Sequence, residues 1–233
     1  MKLWIISDTH QRHAELPIPE GIDTVIHCGD FANSKDIPKN YQETLNFLEW
    51  YSNFYIPNKI LNCGNHDLYA ERWPNLFTDL CKDFKIIPLI HDYLELDGFK
   101  FFGSPYTPTY MTGWAFNRNR GAKLERLWAQ IPEVDILITH GPPKGILDWA
   151  QDIRDRKKPY QAGSKTLLNA LTGISPKIHC FGHMHSCRDF NNYGIYMNDG
   201  PTIFANAAVW AFNQKHIFNG LFLDIALDNE FEF

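Results

Sequence analysis

Short apolar runs punctuate this chain, and several stop abruptly at a cluster of polar residues. Residues 3–6, 23–28 and 59–63 are three such runs. Runs this short and this continuously apolar predict buried strands. Between the second and third, Tyr41, Leu45, Leu48 and Tyr51 recur at helical spacing and predict a helix. Residues 93–96 and 99–102 flank Asp97-Gly98, the signature of a hairpin closed by a type I′ turn. Residues 122–130 predict a helix with Leu124, Leu127 and Trp128 on one side, and 135–139 a further strand. Ser164 is placed to cap a helix whose buried face includes Leu167, Leu168 and Leu171 and which Gly173 ends. Runs at 177–181, 202–205 and 221–225 complete the strands. Strands exchanging with helices predict a mixed α/β sheet architecture with helices outside. No repeat, low-complexity tract or Pro/Gly/Ser-rich linker interrupts the pattern, so residues 1–233 are expected to form a single domain.

The polar clusters at the strand ends carry the chemistry. The first strand runs into Ser7-Asp8-Thr9-His10, the second into Cys28-Gly29-Asp30 and the third into Cys63-Gly64-Asn65-His66-Asp67. Two later strands run into Thr139-His140-Gly141 and Gly182-His183-Met184-His185. Ligands of α/β sheets bind beyond the carboxyl ends of the strands, so five separated segments converge on one place. Carboxylates and imidazoles suit divalent Mn, Fe and Zn. Asp8 and His10 are two residues apart, so on an extended segment both face one ion, and His183 and His185 repeat that spacing. Asp30 is the candidate to bridge two ions, because a carboxylate has two oxygens. Asn65 offers a neutral carbonyl oxygen. Two metals about 3.5–4 Å apart clamp phosphorus for in-line displacement and generate a nucleophilic hydroxide at neutral pH. His66, beside Asn65, is then free to protonate a leaving oxygen or stabilise the transition state.

Composition narrows the partners. The net charge is −5, which argues against a broad surface for extended nucleic acid but not against a small phosphoester. Two divalent ions would add +4 where Asp8 and Asp30 contribute −2, leaving the pocket locally positive. Of ten histidines, His10, His66, His140, His183 and His185 fall in the clusters, and His13, His27, His91, His179 and His216 are read as structural or surface groups. Five widely spaced cysteines, Cys28, Cys63, Cys81, Cys180 and Cys187, make neither a disulfide framework nor a zinc ribbon and read as buried thiols of a reducing compartment. The first apolar run is too short for a signal-peptide core, and no run approaches the roughly 20 residues of a membrane span. A soluble cytoplasmic protein is expected.

Taken in order, Asp8-Thr9-His10, Gly29-Asp30, Gly64-Asn65-His66-Asp67, His140 and Gly182-His183-Met184-His185 resemble the full signature of the calcineurin-like metallophosphoesterases. The resemblance implies a four-layer αββα sandwich, two mixed β-sheets packed face to face with helices outside. It implies that Asp8, His10, Asp30 and His185 hold one metal, that Asp30, Asn65, His140 and His183 hold the other, and that His66 is the catalytic histidine. Manganese is the first expectation, with iron, zinc or nickel compatible. A narrower resemblance lies in Gly103-Ser104-Pro105-Tyr106-Thr107-Pro108, Gly113-Trp114-Ala115-Phe116-Asn117 and Thr139-His140-Gly141-Pro142-Pro143. These segments look like the metallophosphoesterase-domain-containing branch related to a fetal-brain protein, and imply a phosphodiesterase acting on cyclic nucleotides and related small diesters.

Segment 106–120 interleaves Tyr106, Tyr110, Trp114 and Phe116 with Arg118 and Arg120. Tyr106, Trp114 and Arg118 are the candidates for stacking a base and steering a phosphate. Gly163-Ser164-Lys165-Thr166 resembles the tail of a P-loop, but its first glycine is missing, and no G-x-S-x-G elbow is present. The resulting expectation is a dinuclear metal-dependent phosphodiesterase in which a hydroxide bridging the metals attacks phosphorus and Asn65 and His66 help hold the developing charge. The rival readings are a phosphomonoesterase, protein phosphatase or nuclease of the same fold, and a non-catalytic metal-binding scaffold.

Overall fold

A computed structural model of the chain describes residues 1–151, 158–211, 218–226 and 231–232. His216 lies outside the described residues. In chain order the elements are β1 (Lys2–Ile6), β2 (Thr24–His27), α1 (Ile37–Ser52), β3 (Asn58–Asn62), α2 (Leu68–Arg72), α3 (Pro74–Asp83) and β4 (Ile87–Leu89). There follow β5 (Asp92–Leu96), β6 (Phe99–Ser104), β7 (Thr107–Pro108), β8 (Asn117–Arg118), α4 (Ala122–Trp128) and β9 (Ile136–Thr139). The chain continues with β10 (Trp149–Gln151), β11 (Pro159–Gln161), α5 (Lys165–Ile174), β12 (Ile178–Phe181), β13 (Gly194–Met197), β14 (Ile203–Asn206), β15 (Leu221–Ile225) and β16 (Phe231–Glu232).

Two mixed six-stranded sheets carry the fold. One has the order β16-β15-β1-β2-β3-β4, with β1 to β4 parallel and β15 antiparallel to β1. The other has the order β13-β14-β12-β9-β6-β5, four parallel strands flanked by antiparallel β13 and β5. Successive side chains on a strand point to opposite faces, so each apolar run serves two cores. Leu3, Ile5, Ile26 and Ile60 of the first sheet meet Phe101, Ile136, Ile138 and Ile178 of the second in one buried layer. Their neighbours Trp4, Ile6, Val25 and Leu61 pack outward with Phe47 and Tyr51 of α1 and Phe77 of α3. On the far side Phe102, Leu137, Phe181 and Phe204 pack with Leu124 and Trp128 of α4 and Leu167 and Leu171 of α5. This is the expected αββα sandwich. Among the described residues no helix is long and apolar enough to cross a membrane.

The predicted strands and the three predicted helices are present. Asp97 and Gly98 both have positive φ, 51° and 82°, as a type I′ turn requires. Ser164 caps α5, its hydroxyl accepting the Leu167 N–H at 3.2 Å. Gly173 does not end that helix. The chain stays helical through Ile174, whose side chain is buried, and turns at Ser175 with φ 45°. The inward face of α1 is also rotated from the predicted stripe. Tyr41 and Leu45 are half-buried, while Asn40, Thr44, Phe47, Leu48 and Tyr51 are buried. Asn40 is satisfied in its buried place by bonds to two loops and to α2: its amide donates to the Ser34 and His66 carbonyls, both at 2.8 Å, and accepts the Tyr69 N–H at 2.9 Å. A buried polar face on α1 thus anchors the loop that carries His66.

Candidate metal centre

The parallel strands of both sheets end on the same edge of the sandwich, and that edge is stitched together. Val209 N–H donates to the Ser7 carbonyl at 3.0 Å, joining the loop after β14 to the end of β1. The Asn62 amide reaches the Cys28 carbonyl at 3.4 Å and the Ser104 carbonyl at 3.3 Å. Asp67 clamps two more loops: its carboxylate accepts the N–H groups of Asp30 at 2.9 Å, Gly64 at 2.6 Å and Ala32 at 3.0 Å. Burial and the nearby Asp30 charge push the Asp67 carboxyl well up, and the N–H donors pull it back only in part.

Packing here is close enough to demand glycine. Gly29 has φ 110°, and a Cβ there would stand 2.5 Å from the Cys63 carbonyl carbon. A Cβ on Gly182 would overlap the Asp8 carboxylate and Ser7. The polar residues bear the strain directly. Asp8, His10, Asp30 and His183 all adopt left-handed backbone, with φ of 56°, 42°, 60° and 66°. Four non-glycine residues of one cluster in this region mark a functional site, where tertiary structure holds the chain in a costly conformation.

All the proposed ligands come together. Asp8, His10 and His185 form one trio of side chains, His10, Asp30 and His66 a second, and Asp30, His140 and His183 a third, with the potential ligand atoms of each trio within 4.8 Å of one another. Asn65 joins the third, its Oδ1 lying 3.0 Å from His140 Nε2. Asp30 sits between the groups, as expected, but through one oxygen. Its Oδ1 accepts the His66 N–H at 2.7 Å. Its Oδ2 lies 3.3 Å from His140 Nε2, 3.9 Å from His10 Nε2 and 4.0 Å from His66 Nε2.

The donor set fits divalent metal. His140 Nδ1 lies 3.1 Å from the Cys28 carbonyl and His185 Nδ1 lies 2.6 Å from the Trp210 carbonyl. A carbonyl only accepts, so each Nδ1 carries a proton and each neutral ring turns a bare Nε2 inward. In its neutral form His140 faces the Asn65 oxygen with its Nε2 lone pair, an arrangement that a cation between them would satisfy. Asp8 Oδ1 is buried without a hydrogen-bond partner, 3.3 Å from His185 Nε2. Burial holds His10 and His183 down to about 3, so both rings are neutral at pH 7, the form a divalent ion needs.

His140 behaves differently in the protein without metal. Burial alone would lower it, but the charge and hydrogen bond of Asp30 outweigh burial and raise it to about 9. His185 is likewise raised, Asp8 outweighing its burial. A histidine raised from its usual 6.5 stabilises the fold fully below that value and loses the contribution as pH climbs through the folded value. The metal-free protein should therefore lose thermal stability between about pH 6.5 and 9. Added Mn²⁺ should flatten the decline, because a metal replaces the lost proton. Thermal unfolding with chelator and with Mn²⁺ checks this, and a chelated protein as stable at pH 9 as at pH 6.5 would contradict it.

Above this cluster of side chains opens a cavity of about 510 Å³. His10, Asp30, Asn65, His183 and His185 floor it, and Tyr110, Met111, Trp114, Tyr160 and Trp210 wall it. Arg120 adds a cation, its guanidinium fixed by the carbonyls of Ala162 at 2.7 Å and Gly163 at 3.1 Å. His66 also lines it. Its Nδ1 donates to the Asn33 carbonyl at 3.2 Å, its ring packs on Trp114 with centroids 3.9 Å apart, and Lys35 Nζ stands 4.0 Å from the Trp114 ring centroid.

The structure brings Trp114 to this cavity but not Tyr106 or Arg118. Arg118 pairs with Glu71 at 3.1 Å and lies over the Tyr106 ring, and Tyr106 packs against the outer cores of both sheets. Tyr110 and Arg120 of the same segment, with Tyr160 of β11 and Trp210 of the loop after β14, take the places expected for them. Trp210 follows a strand end, so the rule that found the histidines reaches it too. His27 and His179 are buried structural groups bonded to the hydroxyls of Thr9 at 3.2 Å and Thr139 at 2.8 Å. The five cysteines are free, four of them buried, and none joins a trio.

The family model for calcineurin-like phosphoesterases matches residues 1–187. Metallophosphoesterase domain-containing protein 1 of Homo sapiens and its Mus musculus counterpart are each 35% identical over 245 residues, covering 94% of this chain and 69% of theirs. Among solved structures, the phosphopantetheinyl hydrolase of Mycobacterium tuberculosis superposes with a TM-score of 0.56 at 15% identity, covering 90% of this chain and 89% of that one. TT1561 of Thermus thermophilus gives 0.56 at 12% identity, covering 89% and 88%. At these identities the two structures speak to the fold alone.

Proposed function

The chain belongs to the calcineurin-like phosphoesterases, in the metallophosphoesterase-domain-containing branch, and from that premise we propose that this metal-dependent phosphoesterase is a phosphodiesterase of cyclic nucleotides or related small diesters. The observation that carries the reading is the cavity: a floor of metal-capable groups under walls of aromatic side chains, sized for one nucleotide. A stacked base on Trp114, Tyr110 or Trp210 would hold the substrate from the side while phosphorus meets the floor. Arg120 is the cation available to an anionic or carbonyl edge of that substrate.

Asp8, His10, Asp30 and His185 would hold one divalent ion, and Asp30, Asn65, His140 and His183 the other. When bound, the ions supply Lewis-acid charge and lower the pKa of water. Manganese is our first assignment, and iron, zinc or nickel suits the same donors. His66 turns its Nε2 toward the floor and would hold the proton that a leaving oxygen needs. We assign the chain one domain and a cytoplasmic setting, in keeping with its free buried thiols.

The test is hydrolysis of bis-p-nitrophenyl phosphate and of 2′,3′- and 3′,5′-cyclic nucleotides beside phosphomonoesters, with Mn²⁺ and after chelation. Diesters should turn over faster than monoesters, and chelation should abolish both. Preference for monoesters or oligonucleotides would replace the reading by a phosphatase or a nuclease. Tightly bound metal without hydrolysis of any ester would make the protein a scaffold.

A further inference from the structure

Tyr110 stands beside the third trio without belonging to it. Its hydroxyl accepts a hydrogen bond from Asn65 Nδ2 at 3.1 Å, and its ring meets the His183 ring edge-on with centroids 5.5 Å apart. Asn65 and His183 are two of the four side chains assigned to one ion, so Tyr110 touches half of that ligand set.

An amide side chain has two ends of opposite character. Asn65 ligates metal only when its oxygen faces inward. The neighbouring group inside is His140 Nε2, which, once it gives up its proton to bind metal, presents a lone pair that attracts the amide NH₂ and would turn the oxygen away. An acceptor on the outer side removes that alternative by taking the NH₂. The Tyr110 oxygen is that acceptor, and it comes from a loop 45 residues along the chain. Groups that orient a ligand in this way typically tune metal affinity 10–100-fold.

We propose that Tyr110 is a positioning residue for the metal centre: it holds the Asn65 amide with its carbonyl oxygen facing the ion site shared with Asp30, His140 and His183. The proposal rests on the metal-centre assignment and not on which ester is the substrate. Its role passes through Asn65, so the two residues must be energetically coupled.

A double-mutant cycle reads that coupling. Mn²⁺ is titrated into the chelated and re-dialysed full chain, with no substrate, and each binding step is followed by the electron paramagnetic resonance of free and bound Mn²⁺. Tyr110→Phe should weaken one of the two binding steps about 10–100-fold while leaving the other within about threefold. Asn65→Asp removes the need for orientation, since a carboxylate offers oxygen at both ends. In that background Tyr110→Phe should change that same step by less than about threefold. Two results overturn the proposal: a Tyr110→Phe protein that binds both ions like the parent, or an equal loss in both backgrounds, which would reduce Tyr110 to packing against His183. Failure of the parent chain to bind two ions would instead refute the metal-centre assignment, and a failed substrate screen would leave the titration intact.

Discussion

Asp30→Asn should strip the protein of its paired metals and of its hydrolytic activity in one step. The substitution is nearly isosteric, and asparagine tolerates the left-handed backbone at φ 60° as readily as aspartate. Its Oδ1 can still accept the His66 N–H, so the loop geometry has no reason to change. What disappears is the negative charge at the one oxygen that faces His140, His10 and His66 together. Asp30 belongs to two of the three trios, so both proposed ion sites lose their shared anion. Lewis-acid stabilisation by metal is worth several kcal/mol, and each 1.36 kcal/mol is tenfold in rate, so kcat/KM should fall by roughly a thousandfold or more. Elemental analysis after dialysis against Mn²⁺ should show less than one ion per chain where the parent holds two. A variant that keeps both ions and full activity would remove Asp30 from the bridging position.

The order of these candidate ligands was legible because the fold puts them where sequence patterns are clearest. A parallel strand buried on both faces reads as an unbroken apolar run, and a run that stops at Asp8, Asp30, Asn65, His140 or His183 announces the functional edge of the sheet. Elements without that contrast were not visible. β4 has Pro88 at its centre, which a strand tolerates only at a sheet edge, where β4 lies. β13 is also an edge, and its Ile195, Tyr196 and Met197 remain largely exposed, so apolarity there does not report burial. Residues 68–83 split at Trp73-Pro74 into α2 and α3, too short to show a long apolar stripe.

Segment 106–120 shows a different limit. Its composition pointed to substrate contacts, but composition does not choose among its members. Arg118 is withdrawn by Glu71, which stands 47 residues earlier in the chain, and stacks on Tyr106 instead of facing the cavity. Arg120, two residues on, is turned inward by carbonyls from 162–163. Periodicity carries no information about such pairings, because each depends on a partner brought in by the tertiary fold. The same holds for the Asn65–Tyr110 contact.

His66→Gln should separate metal binding from catalysis. The ring is held from two sides, with Nδ1 donating to the Asn33 carbonyl and one face against Trp114, and neither contact involves the assigned ligands. Because the Nδ1 proton is committed to Asn33, any proton that His66 gives away must leave from Nε2, the atom facing Asp30 and the cavity. That is the geometry of a general acid rather than of a permanently deprotonated ligand. General acid catalysis contributes about 10²–10⁴-fold, so kcat should fall by that factor with KM little changed and both ions retained. The loss should depend on the ester. With a p-nitrophenolate leaving group, which departs without a proton, it should shrink toward tenfold or less, while a cyclic nucleotide, whose leaving alkoxide needs the proton, should show the full effect. The opposing possibility is concrete, since His66 forms a trio with His10 and Asp30 and could itself be a ligand. In that case His66→Gln would lose an ion, and its rate on activated and unactivated esters would drop by the same factor. Metal content and leaving-group dependence, measured on one preparation, decide between the two roles.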